Sequence, residues 1–250
     1  MSTPPTEPSM GAARESGSSE IHHEHRDVTG GWLRPTVFGM MDGLVSNFAL
    51  IVGFSGGHAN RTVVVLAGLA GLVAGAGSMA TGEYISVQSQ NESTRAELEV
   101  EMHELKHNAA AELEELAESY VARGVDADLA LKVAQQLSRD PEQALLIHAQ
   151  EELGIDPNQL PSPWTAAFSS LISFSFGAVL PLLPYLFGVN TVLISLVVAA
   201  VGLFAAGALT SRFTVRSWQF SGTRQLLLGG LASAITYGAG LLFHASGALS

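Results

Sequence analysis

The chain contains no cysteine, which excludes disulfides, thiolate metal sites and iron–sulfur ligation and leaves the redox compartment open. Charge is scarce as well: Asp, Glu, Lys and Arg make up 14% of the 250 residues, against about a quarter in soluble domains. Basic residues are the scarcer sign, with 12 Lys and Arg against 23 Asp and Glu and a formal net charge of −11. That deficit argues against a nucleic-acid partner, whose phosphates are bound through Lys and Arg. Yet the mean hydropathy is +0.29 and 47% of residues are hydrophobic. An acidic chain of positive mean hydropathy does not describe one water-soluble globule. It describes a membrane protein whose acidity is gathered in one place.

That place is found by counting along the chain. Residues 92–156 hold 16 acidic and 5 basic side chains, the whole of the net charge, and the remainder is balanced. Residues 1–31 are rich in Ser, Pro, Gly and Glu, with no apolar run behind a basic start; this composition predicts a disordered tail and no signal peptide. The His22-His23-Glu24-His25 run within it is a weak metal contact or a solvated stretch.

Five apolar stretches follow, near 35–57, 62–82, 164–187, 189–210 and 225–244. Each has roughly the 17–25 residues that cross a hydrocarbon core as a helix. The expected fold is therefore all-α: a polytopic membrane protein of five transmembrane helices with a cytoplasmic three-helix insert between the second and third. The expected divisions are a tail at 1–31, spans one and two at 32–89, the insert at 90–160 and spans three to five at 161–250. With the N-terminus in the cytosol, 11 of the 12 Lys and Arg fall on the cytoplasmic side and only Arg61 lies opposite. The positive-inside rule then places the N-terminus and insert inside and the C-terminus outside. Small residues four apart (Ala67, Gly71, Gly75; Gly202, Ala206; Gly230, Ala234, Gly238) predict close helix packing in lipid.

Asp42 lies in the first span, where an ionised carboxylate needs a polar pathway or a partner. Met79 and Glu83 lie four apart on the second span and share a helix face. With Asp42 and Asn47 they make a candidate intramembrane cation site, whose thioether and carboxylates suit a borderline divalent transition metal. Structural hydrogen bonding and lipid-facing filler are the plainer readings of Asp42 and Met79.

In the insert, one long polar helix is expected from Asn91 to Arg123, ending before Gly124. At 100° per residue, Glu97, Glu101, Glu104, Glu112 and Glu115 share one narrow arc. Stacked like charges destabilise a helix, so the stripe calls for cations, or else is a solvated face. On a straight helix Glu101 and Glu112 stand about 16 Å apart, which one ion cannot bridge and several can. Two shorter helices are expected at 127–138 and 141–153, with Asp126 and Asp140 as N-caps, Pro141 at the first position and Gly154 as terminator. His148 and Glu152, four apart on the last, can complete an oxygen and nitrogen shell.

Gly53-Phe54-Ser55-Gly56-Gly57 matches G-x-S-x-G, with His244 as a conceivable base. The hydrolase elbow needs a strand–turn–helix setting, and this motif ends a membrane helix.

The segments MDGLVSNFALIVGFSGG, SMATGEYISVQSQNE, AELEELAESYVARG and EELG, in this order, resemble the vacuolar iron transporter family over about residues 26–245. The resemblance implies a homodimer of five-helix subunits in a lipid bilayer, with the ion path at the dimer interface. It implies export of Fe2+, or of Mn2+ or another divalent metal such as Zn2+, from the cytosol in exchange for protons, with no prosthetic group and no catalysis on substrate bonds. By position it assigns Asp42 and Met79 to the intramembrane pathway, with Glu83 in the matching GEY segment. Glu101, Glu104, Glu112, Glu115 and Glu152 match the metal-binding acids. Two departures stand out. His148 and Ala149 occupy the place of a Met pair, substituting a harder nitrogen for soft sulfur. Gly31 occupies the place of an acid upstream of Asp42, which shifts proton coupling to other groups such as Glu83. A membrane for such a chain is a prokaryotic cell membrane, or a vacuolar-type membrane in a eukaryote. An iron-buffering or sensing membrane protein and a divalent-cation channel are the alternatives; Asp42 inside a span favours passage over storage.

Overall fold

The computed structural model describes residues 31–213 and 215–245; the expected disordered tail, with His22, His23 and His25, lies outside the described residues apart from Gly31. Among the described residues eight α-helices follow one another: α1 Leu33–Gly56, α2 Arg61–His107, α3 Ala109–Ala122, α4 Ala127–Leu137, α5 Pro141–Glu151, α6 Pro163–Leu186, α7 Val192–Thr210 and α8 Trp218–Ala245. No strand occurs among the described residues. Helices α1, α2, α6, α7 and α8 are long and apolar enough to cross a membrane.

The longest element decides how the rest is arranged. Helix α2 has 47 residues without a break, roughly 70 Å at 1.5 Å per residue. A hydrocarbon core of about 30 Å takes up less than half of it. Beyond Gly82 the sequence offers no Gly or Pro before residue 108 to stop the helix. The span therefore runs on as a rod and becomes the first helix of the insert.

The continuous helix expected from Asn91 to Arg123 is not formed: α2 ends at His107 and α3 starts afresh at Ala109. Asn108 is the break, at φ −125° and ψ 31°. Its N–H donates to the Glu104 carbonyl at 2.7 Å, while its own carbonyl accepts from Ala111 at 2.8 Å. Its side-chain amide donates to the Glu104 carboxylate. Asn competes with helical backbone bonds in this way and so favours helix ends. The bend turns α3 away from the axis of α2.

Helices α4 and α5 form where expected. The Asp126 and Asp140 carboxylates accept from the N–H groups of Asp128 and Glu142 at 3.0 and 3.1 Å. Gly124 and Gly154 end α3 and α5 with φ of +94° and +66°, the left-handed conformation glycine adopts freely. Leu116, Ala117, Ala130 and Ala134 are buried together, with Leu113, Tyr120, Val125, Leu137 and Ile147 around them. Arg123 at the end of α3 pairs with Glu151 at the end of α5. Loss of a cap costs about 1 kcal/mol, so Asp140→Ala is expected to speed amide hydrogen exchange in α5 by about fivefold; unchanged exchange would contradict the cap.

Among the spans, α1 sits centrally and packs against α2, α6, α7 and α8. The closest approach is between α1 and α6. A Cβ added at Gly43 would lie 2.2 Å from the Phe174 carbonyl oxygen, and one at Gly177 2.1 Å from that of Met40. Both contacts are to backbone, which cannot step aside. Gly177→Leu is thus expected to abolish the folded protein, seen as loss of a monodisperse peak in detergent. This crossing was not in the rows of small residues read from spacing. Of those rows, Gly71, Gly75 and Gly202 do meet neighbouring helices, whereas Gly230 and Gly238 face open space. Trp32, Trp164 and Trp218 all stand where α1, α6 and α8 begin.

Candidate metal sites

The bend at Asn108 brings acids from two helices together. Glu101 comes from α2, Glu112 from the first turn of α3, His148 from α5 and Glu152 from its C-cap. One ligand atom from each lies within 4.8 Å of all the others. Donors at about 2.1 Å from one ion stand about 3–4 Å apart, so a small closure places all four on a single cation. The straight-helix separation of about 16 Å is therefore corrected. Helix α3 folds back, and one ion can bridge Glu101 and Glu112.

His148 is the centre of this cluster and is fully buried. Its Nδ1 lies 2.9 Å from Glu152 Oε1, 3.0 Å from Glu101 Oε1 and 3.6 Å from Glu112 Oε2. Three carboxylates thus crowd one ring nitrogen, and a cation among them offsets their mutual repulsion. Burial, then the nearby Glu152, push the Glu101 carboxyl up to about 7, against the opposing pull of His148. Burial and the adjacent Glu115 likewise raise Glu112, again against His148. The cluster is thus short of positive charge near neutral pH. Three carboxylates and an imidazole suit a divalent transition metal.

The other insert acids are placed differently. Glu104 is engaged by the Asn108 amide, and Glu115 is exposed. Neither belongs to the four-residue cluster, although Glu115 adds its charge at Glu112.

Within the spans, Asp42, Asn47 and Met79 line one cavity of about 250 Å³, together with Ser46, Ser78 and Gly71. The Asn47 amide donates to the Ala178 carbonyl at 2.6 Å. Its Oδ1 is buried without a hydrogen-bond partner among the described residues, and it faces Gly71, where a Cβ would lie 3.0 Å away. The cavity offers a carboxylate, an amide oxygen, a thioether and hydroxyls. Ser46 and Ser78 were not foreseen; their positions four residues after Asp42 and one before Met79 were the available signal. Glu83, one turn beyond Met79, is outside the lining.

A larger cavity of about 880 Å³ lies between α1, α8 and the start of α2. Its lining holds no ionisable residue. Ser55 sits in the last turn of α1 with its hydroxyl 3.1 Å from that of Tyr185. The strand that a hydrolase elbow requires is absent among the described residues, and the His244 side chain lies outside them.

Comparison with known proteins agrees with this architecture. A model of the VIT family matches residues 33–241. A vacuolar iron transporter of Acanthamoeba castellanii is 39% identical over 232 residues, covering 88% of this chain and 82% of that protein. Vacuolar iron transporter 1 of Oryza sativa is 33% identical over 91% of this chain and 92% of its own length. Vacuolar iron transporter 1 of Arabidopsis thaliana is 30% identical over 86% and 88%. Matched along nearly its whole helical length, the chain belongs to the VIT family.

Proposed function

We propose that the protein carries Fe2+, and other divalent transition metals such as Mn2+, out of the cytosol across a membrane in exchange for protons. The observation that supports this most is that both candidate sites are threaded on one helix. Met79, in the cavity with Asp42 and Asn47, and Glu101, in the carboxylate cluster, both belong to α2. They are separated by 22 positions, about 33 Å of helix. The insert collects the ion, and the cavity receives it within the spans. Carboxylates suit both stages because each binds either a metal or a proton. Glu83, between the two, is a stepping group for ion or proton. Glu104 and Glu115 flank the cluster and add to its attraction for cations.

In this reading the N-terminus and the insert face the cytosol, in keeping with the Lys and Arg distribution. Two subunits pair, with the ion path between them. The reading involves no chemistry on substrate bonds and no prosthetic group.

The test is reconstitution of the purified protein in liposomes with an imposed pH gradient and an enclosed Fe2+ indicator. Uptake above protein-free vesicles is expected. If ions bind to the protein while none reach the lumen, the protein is a membrane-anchored iron buffer and the transport reading fails.

A further inference from the structure

The last two turns of α2 carry a second set of metal-binding side chains that the carboxylate cluster does not use. His103 and His107 are four residues apart on one helix, and both are exposed. Their imidazoles are stacked, with ring centroids 4.0 Å apart and planes inclined by 27°. The His107 Nδ1 lies 2.8 Å from the His103 carbonyl oxygen. A carbonyl only accepts, so Nδ1 of His107 carries the proton and donates it. That fixes the tautomer: the lone pair is on Nε2, at the outer end of the ring. A metal-ligating histidine commonly donates its other ring N–H to a backbone carbonyl, and His107 meets that condition; the stacked rings fan open about their side-chain torsions to bring both lone pairs onto one ion.

The pair is separate from the site already described. At 100° per residue, His103 lies 200° around α2 from Glu101 and His107 lies 240° from it. The two sets therefore occupy opposed faces of the helix. Glu99, one turn before His103 and also exposed, lies on the histidine side and adds negative charge there. Imidazole donors bind late first-row divalent ions more tightly than Mn2+ or Fe2+, in the order that rises through Ni2+ to Cu2+.

From these observations we infer that His103 and His107 form a surface chelate for one imidazole-preferring divalent ion, Zn2+, Ni2+ or Cu2+, distinct from the buried carboxylate cluster. Water completes the shell on the solvent side. The ion bridges the last turn of α2, directly before the break at Asn108, and so pins the helix end from which α3 departs. The inference does not depend on transport.

The experiment is titration of the full-length protein in detergent with Zn2+ by calorimetry at pH 7.5, and with Cu2+ by electron paramagnetic resonance. The wild type, His103→Ala/His107→Ala and Glu101→Gln/Glu112→Gln are compared, with circular dichroism confirming the helix content of each. The histidine variant is expected to bind one Zn2+ fewer and to lose a Cu2+ signal split by two imidazole nitrogens. The carboxylate variant is expected to keep both features. His103→Gln/His107→Gln repeats the test should the alanine variant lose helix content. Unchanged Zn2+ stoichiometry and an unchanged Cu2+ signal in a folded histidine variant would overturn the proposal. So would loss of the two-nitrogen signal in the carboxylate variant, since that would assign it to the buried cluster.

Discussion

Asp42→Asn is expected to lower Fe2+ flux into proteoliposomes by about 100-fold while leaving Fe2+ binding to the insert unchanged. The substitution keeps shape and an oxygen donor but removes the charge. In the spans that charge is what makes a cation tolerable. An unbalanced charge at the centre of a membrane helix costs about 3 kcal/mol on insertion scales, and a barrier raised by that amount slows passage about 100-fold. The buried oxygen of Asn47, the hydroxyls of Ser46 and Ser78 and the Met79 thioether remain in the cavity, but all are neutral. Because the cavity and the carboxylate cluster stand about 33 Å apart along α2, Fe2+ binding to the insert is expected to match the wild type. Equal flux by variant and wild type would remove the cavity from the pathway. Loss of insert binding would show that the substitution disturbs the fold.

The second large effect concerns protons at the carboxylate cluster. A metal entering it must displace the proton from Glu101, whose carboxyl titrates at about 7. Apparent affinity is therefore expected to fall about fivefold from pH 7 to 6 and about tenfold for the next unit. Anaerobic Fe2+ titrations of the full-length protein at these pH values measure this. Glu101→Gln is expected to weaken binding at pH 7.5 by more than about tenfold, since a charged ligand is lost, and to flatten the slope. Stability moves the other way. Glu101 holds its proton more tightly folded than unfolded, so its contribution is full below about pH 4.5 and is lost as the pH rises through 7. The metal-free wild type is thus expected to weaken over that window. Metal-free Glu101→Gln, with no charge to bury, is expected to unfold at a higher temperature than wild type at pH 8. A variant less stable without metal would mean that Glu101 is a structural partner of His148.

The five spans were legible because bilayer thickness imposes a length that composition alone satisfies. The caps at Asp126 and Asp140 were legible because an N-cap is local chemistry. Asp42, Asn47 and Met79 share a cavity as their span positions suggested, while Glu83, picked by the same i, i+4 argument, lies outside it: facing is set by the neighbouring helices α1 and α6, which no single-helix rule contains. The arrangement of the insert was not legible. An angular count is only as good as its assumption of one straight helix, and Asn108 breaks that assumption by capping two helices at once. Its amide bond to Glu104 and the three alanines after it were the signals available. The convergence of His148 with Glu101 and Glu112 depends on how α5 lies against α2, which is a matter of packing between distant segments. The close approach of Gly43 and Gly177 was hidden for the same reason.

In the proposed mechanism divalent metal and protons move in opposite directions through this chain. It is tested most directly by recording Fe2+ and pH together inside one set of proteoliposomes, with an enclosed metal indicator and an enclosed pH dye. Antiport predicts that Fe2+ entry down its gradient raises the internal pH in proportion to the metal taken up, and that an opposing pH gradient slows it. Rapid Fe2+ entry with no change in internal pH and no response to the gradient would contradict it and identify a channel.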